Sequence, residues 1–417
     1  MHSSVRFGSR LAGLIGALAI AGVYGGCGDL ILPQENGADA GKGGDDGGTN
    51  PELDGDIGGD ADLGGGGDTG VGDARAAILD CAGQDASFGP PNDLGCTGLY
   101  SDWPKRTVSA EVVVFDPGLH LWSDGAEKTR WVYMPAGQKI DTSDMNEWKF
   151  PVGTKFWKEF KLSGRRVETR MFWKRGVNDW VRTTYRWAGD ETTAISLAEG
   201  QTNVGGSTYA IPPVASCDAC HSGRIDKILG FDAVSLSSPQ SKFGTTAPAM
   251  NGLVALITNP PPANNLMQVP DDLPAMPAGS SRGGKALGWL HANCGTACHN
   301  NSPSSFAGVT GLWLRLEVGA TGVGAYTSTN TYLTSVCKTA RFVTDIPIGS
   351  AAWTRVRPGE PFENSLIPFR DSKRNDDRIQ MPPIASSIPD LEGSKWVQEW
   401  VTLGSFPTQT TNGKCPP

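Results

Sequence analysis

Cys217-Asp218-Ala219-Cys220-His221 sets two thiols three positions apart, with an imidazole directly after the second. Read as C-x-x-C-H, this is the attachment signature of a c-type haem. Each thiol can form a thioether to one vinyl group of a porphyrin, and the adjacent His can bind the iron. A related arrangement follows at Cys294-Gly295-Thr296-Ala297-Cys298-His299, with three spacer residues instead of two. A bulged helical turn can absorb the extra residue. Two haems, attached at Cys217, Cys220, Cys294 and Cys298 and ligated by His221 and His299, are the expected cofactors.

Competing chemistries use the same residue types. A zinc site needs further ligands, and no second C-x-x-C stands near the first motif. A thioredoxin-like pair needs a βαβ context, and none precedes it. A c-type iron in an electron carrier takes a second axial ligand, and Met sulfur raises the potential relative to His. Gln380-Met381-Pro382-Pro383 offers Met381, stiffened by proline, for the second haem. For the first haem the reading favours Met276, in Ala275-Met276-Pro277, while Met250, Met267 and His291 compete.

Nine cysteines are present. With four on haem and Cys27 at the end of an export signal, Cys81, Cys96, Cys337 and Cys415 form an even set able to make two disulfides in an oxidising compartment. Four disulfides and no haem, with Cys294 paired to Cys337, is an equally even accounting.

The elements that position these groups divide the chain into several parts. Residues 1–27 read as a lipoprotein signal sequence: Arg6 and Arg10, a short apolar stretch, then Tyr24-Gly25-Gly26-Cys27, with Cys27 as the lipidated residue. Residues 28–75 are Gly- and Asp-rich, with 12 acidic and 2 basic side chains. Such a segment buries too little apolar surface to offset ordering entropy and is expected to be a disordered tether. The net charge of −8 therefore belongs to the tether, and no basic face argues for nucleic acid.

Residues 76–210 are expected to form an antiparallel β-sandwich. Runs at 108–115, 130–134, 154–162, 166–174 and 179–187 are rich in aromatic and β-branched residues and are separated by turn residues. Glu168 and Arg170 share a strand face and read as a solvated ion pair; the charged stretch 121–128 reads as a loop. Residues 211–290 and 291–417 are expected to be two haem c units, mainly α and loop-rich. Helices are predicted at 282–293 and at 390–403, the latter capped by Asp390. The fold class is thus multidomain: a β-sandwich domain followed by a c-type cytochrome region.

Taken together, Leu121-Trp122-Ser123-Asp124-Gly125-Ala126-Glu127-Lys128, Val167-Glu168-Thr169-Arg170, Cys217 to His221, Leu290-His291-Ala292-Asn293-Cys294 with Cys298-His299, Val336-Cys337-Lys338, Arg357-Pro358-Gly359-Glu360-Pro361 and Gln380-Met381-Pro382-Pro383 resemble a family of bacterial exported dihaem c-type cytochromes, in the version found in myxobacterial lipoproteins. The resemblance covers most of the chain from Leu119 onward. It implies the four haem-bearing cysteines, His221 and His299 as proximal ligands, and Met381 as the late Met-Pro. The expected protein is an electron carrier held to a membrane through Cys27, in the periplasm or at the outer membrane of a Gram-negative bacterium, with a redox protein as partner. Two other functions compete: a peroxidase-like enzyme with one open iron site, and a haem-free disulfide-bonded surface binding protein.

Overall fold

The computed structural model describes residues 81–82, 84, 89–259, 281–319, 326–341, 353–374, 376, 379–384, 386–404, 406–407 and 409–416. The signal, Cys27, the tether, Met267 and Met276 lie outside these residues.

Alternating apolar and polar residues build the sheet. The strands are β1 (Tyr100–Asp102), β2 (Thr107–Val108), β3 (Val112–Asp116), β4 (Glu127–Tyr133), β5 (Lys155–Leu162), β6 (Arg165–Lys174), β7 (Trp180–Trp187), β8 (Ala194–Ser196) and β9 (Lys242–Phe243). Seven of them form one antiparallel sheet in the order β8-β7-β6-β5-β4-β3-β9, while β1 and β2 form a separate ribbon. The antiparallel region is therefore one large sheet with a small ribbon, rather than two comparable sheets. Period-2 alternation fixes which side chains share a face; it does not say what covers that face.

Both faces are covered. Trp131, Trp157, Met171, Tyr185 and Trp187 pack under the segment carrying Leu94, Leu99, Tyr100 and Trp103. The opposite face presents Phe115, Val132, Phe156, Phe172 and Trp180 to the C-terminal half of the chain. There Phe231 is the hub, making edge-on ring contacts with Phe115, Phe150 and Phe156 at centroid distances of 4.8, 5.7 and 5.2 Å. Strand β9 comes from the region expected to be the first haem unit, yet it pairs with β3 and extends the sheet.

The rest is helical and loop-rich: α1 (Cys217–His221), α2 (Ala233–Ser237), α3 (Ala249–Leu253), α4 (Ser281–Leu290), α5 (Asn330–Ser335), α6 (Leu366–Asp371) and α7 (Leu391–Leu403). Asp390 caps α7, its carboxylate accepting from Gly393 N at 3.0 Å. The predicted helix at 282–293 is α4, continued by a π-helical turn over His291–Gly295. No helix among the described residues is long and apolar enough to cross a membrane. Cys81–Cys96 and Cys337–Cys415 are disulfide-bonded, while Cys217, Cys220, Cys294 and Cys298 are thiols outside any disulfide.

Candidate functional site

The first motif is the helical turn α1. Its His221 ring stacks on Phe172 of β6 at 4.4 Å between centroids. Nδ1 of His221 donates to the Lys227 carbonyl. Nε2 is then the ring nitrogen left to bind a metal, the usual arrangement for a ligating His. Burial depresses its pKa to about 4, so the imidazole is neutral at physiological pH.

Lys227 reaches this position through a left-handed backbone (φ 61°). Its neighbour Asp226 is anchored in the sheet core. Asp226 accepts from Lys174 Nζ at 2.6 and 2.8 Å, from Trp180 Nε1 at 3.3 Å and from Phe150 N at 2.5 Å. The sheet thus orients His221 through one loop.

The second motif uses the π turn. Cys294 carbonyl accepts from both Cys298 N (3.2 Å) and His299 N (2.8 Å), and His291 carbonyl accepts from Thr296 N (2.9 Å). The extra spacer residue is absorbed by these wider bonds. Gly295 is required there, because an added Cβ would collide with the backbone of Leu314 and Arg315. Burial depresses the His299 pKa to about 4, and pushes the Cys294 thiol well above its ordinary range. The Leu312 backbone is the group that favours the protonated form of His299, against burial and the Arg370 charge.

The two motifs, 77 positions apart from Cys217 to Cys294 in the sequence, abut. The Cys220 and Cys298 thiols hydrogen-bond, which holds Cys220 below the ordinary thiol range. Cys298 Sγ also approaches the Ala219 carbonyl at 3.5 Å. Ser304 Oγ donates to Ser222 O at 2.6 Å, and a Cβ on Gly223 would collide with the Ala297 carbonyl. A buried network of Arg224, Glu147 and Arg315 ties the loop after α1 to the strand-like segment after the second motif.

Met381 is held against α6 and the turn after it. Its N–H donates to the Arg370 carbonyl at 3.1 Å, and its carbonyl accepts from Arg374 at 3.3 Å. The Arg370 charge acts on His299, and the charges of Asp371 and Arg374 act on Cys294. Met250 is buried in the apolar core. His291 is also engaged in the core: Nδ1 accepts from Leu316 N at 3.0 Å, and Nε2 faces Asp232 at 3.5 Å. Burial pushes the Asp232 carboxyl up, but the hydrogen bond from His291, with the Arg224 charge and the Ser235 N–H, outweighs it and holds the carboxyl well below its usual range.

Two readings of the β-region need correcting. Glu168 and Arg170 are not a solvated pair. Glu168 is fully buried, binds Arg170 through both oxygens at 2.7 and 2.9 Å, and accepts from Tyr209 Oη at 2.6 Å. The loop reading holds for 121–126 but not for Glu127 and Lys128, which open β4, and the loop is a clip rather than a free charged stretch. Asp124 accepts from Ser387 N and Ile388 N at 3.0 Å and from Ser387 Oγ at 2.7 Å. Trp122 Nε1 donates to Ile388 O at 2.7 Å, and Trp122 N donates to Asn293 Oδ1 at 2.6 Å. It therefore binds both the segment after Met381 and the residue before Cys294. The Ser-Asp-Gly turn was visible in sequence; its partners, more than 170 positions away, were not.

Beside the first motif lies a cavity of about 150 Å³, walled by Phe156, Phe172, Cys220 and His221. Leu119, Leu121 and Trp122 separate it from a groove of about 550 Å³. Organic cofactor sites run to roughly 300–1,000 Å³. The cavity alone is below this range, and the neighbouring groove, which shares the Leu119, Leu121 and Trp122 wall, lies within it. The donor set fits a covalently held haem: paired thiols, a neutral oriented imidazole, apolar ring walls, and cations on one side. Among the described residues, no group of three or more His, Cys, Asp or Glu converges on a bare ion.

Asp371, between α6 and α7, gives a pH signature. Burial raises its pKa from the ordinary 3.8 to about 6, despite a hydrogen bond from Ser394 and the nearby Arg374. The folded state then holds this proton more tightly than the unfolded chain. Its stabilisation is fully present below about pH 4 and is lost as pH rises through about 6. Relative to Asp371→Asn, the wild type is expected to lose on the order of 3 kcal/mol across that window. Urea denaturation of both proteins at the two ends of the window checks this; an equal change in both sinks it.

No family model, curated protein or solved structure matches the chain.

Proposed function

We propose that the chain is an exported dihaem c-type cytochrome, tethered to a membrane through Cys27, that passes electrons between redox protein partners. The observation that carries this reading is the abutment of the two motifs, Cys220 against Cys298, each followed by a half-buried neutral His. Two attachment sites side by side suit electron exchange between their cofactors better than two independent functions. Cys217, Cys220, Cys294 and Cys298 would hold the porphyrins, His221 and His299 would bind the irons, and Met381 would tune one potential. The haem supplies reversible one-electron chemistry when bound. The chain's residues hold it in apolar surroundings, fix the imidazoles and exclude water.

The test is intact mass after export in a host with a c-type haem maturation system. Two haem adducts per mature chain are expected. A chain with no adduct overturns the reading and leaves the haem-free binding protein. Release from membranes only by detergent, lost in Cys27→Ser, is the expected mark of the anchor.

A further inference from the structure

We propose that Arg130, Lys158 and Arg170 form the seat for the propionate carboxylates of the haem carried at Cys217 and Cys220. The proposal rests on the dihaem reading above and adds the groups that take the cofactor's charged edge.

The strand register places these three cations side by side. Arg130 of β4 lies directly opposite Lys158 of β5, and Lys158 lies directly opposite Arg170 of β6. Like charges opposed across strands destabilise a sheet. Arg130 is 6% exposed, Lys158 and Arg170 are half-buried, and all three side chains line the cavity that Cys220 and His221 border. Arg170 has Glu168 as counter-charge, but Lys158 has no such carboxylate and Arg130 only a distant one, and withdrawing a cation from water without a close anion is unfavourable.

The protein's own acids do not balance the row. Glu168 is committed to Arg170 and Tyr209. Asp116 is 4.0 Å from Arg130, exposed, and already bonded to His120 at 2.6 Å. Lys158 has no ion pair among the described residues; its ammonium lies over the Phe160 ring at 5.0 Å. Burial first, then Arg130, Lys128 and Arg170, push its ammonium pKa far down. An anion entering the cavity would relieve all of this through charge-assisted hydrogen bonds. Carboxylates fit because the row offers the Arg130 guanidinium and the Lys158 ammonium side by side, with Nη1 of Arg170 beyond them, its Nε and Nη2 being bound to Glu168. The haem is the carboxylate source the cavity selects, since its wall holds an attachment cysteine and the ligating imidazole of the same cofactor. A free dicarboxylate is the alternative source.

The test uses the holoprotein, with haem labelled by heavy carbon at the propionate carboxyls, and compares wild type, Lys158→Met, Lys158→Arg and Lys105→Met. Lys105 is an exposed lysine at the ribbon, paired with Asp102. Intact mass first counts the adducts; none on the wild type overturns the dihaem reading and the proposal with it. Infrared difference spectra between oxidised and reduced protein then read the label-sensitive carboxylate bands. Part of that signal is expected to shift in Lys158→Met, to return towards wild type in Lys158→Arg, and to stay put in Lys105→Met. With adducts intact, an unmoved signal in Lys158→Met overturns the proposal alone and leaves the row to a free anion. Should Lys158→Met fail to fold, Arg130→Met is read by the same criterion.

Discussion

Replacing Cys217 and Cys220 together by alanine is expected to leave a mature chain with one covalent haem instead of two, and replacing Cys294 and Cys298 is expected to leave the other one. On the dihaem proposal these side chains would make the thioethers, so each double substitution would remove its own attachment entirely. The motifs touch, yet their supports differ. His221 is oriented by the Lys227 carbonyl and by Phe172 of the sheet. The second motif is framed by its own π turn and by α6. Loss of one should therefore spare the other. Intact mass of each exported variant decides it. A variant that keeps both adducts would remove its motif from the attachment chemistry. Retention of two adducts after loss of Cys294 and Cys298 would return the three-residue spacer to an ordinary turn.

Asp226→Ala carries the largest expected cost in stability. Asp226 is 4% exposed and neutralises Lys174, which is 3% exposed. It also satisfies Trp180 Nε1 and the Phe150 N–H. Removing the carboxylate leaves a buried ammonium without a counter-charge and two further donors without an acceptor. A buried pair broken on one side typically costs about 3–5 kcal/mol. The double variant Asp226→Leu with Lys174→Met removes both charges and is expected to recover most of that loss. Urea unfolding of the holoproteins measures both. A single variant within roughly 1 kcal/mol of wild type would mean that water reaches the pair. Because Lys227 follows Asp226, the single variant should also loosen His221, visible as a change in the optical spectrum of one haem.

Much of the local structure was legible before folding. The runs at 154–162 and 166–174 correspond to β5 (Lys155–Leu162) and β6 (Arg165–Lys174) within a residue at each end. The Asp390 cap and the bulged turn that absorbs the spacer after Cys294 are also where the sequence reading put them. These follow from period, capping chemistry and spacing, which neighbours in sequence determine. Glu168 shows where that reasoning stops. Alternation put Glu168 and Arg170 on one face correctly, but whether that face meets water depends on Tyr209 and the loops above it.

By itself, the sequence determined the reactive groups: two Cys-Cys-His sets, a Met before two prolines, and strands whose alternation makes a two-faced sheet. Only the tertiary structure decided how these meet. It set the register that lines up Arg130, Lys158 and Arg170, the contact of Cys220 with Cys298, the engagement of His291 in the core, and the clip from Asp124 to Ser387. The reason is range. Helix and strand periodicity is fixed by residues a few positions apart, whereas these contacts pair groups from 12 to 263 positions apart and depend on how two faces of one sheet are covered.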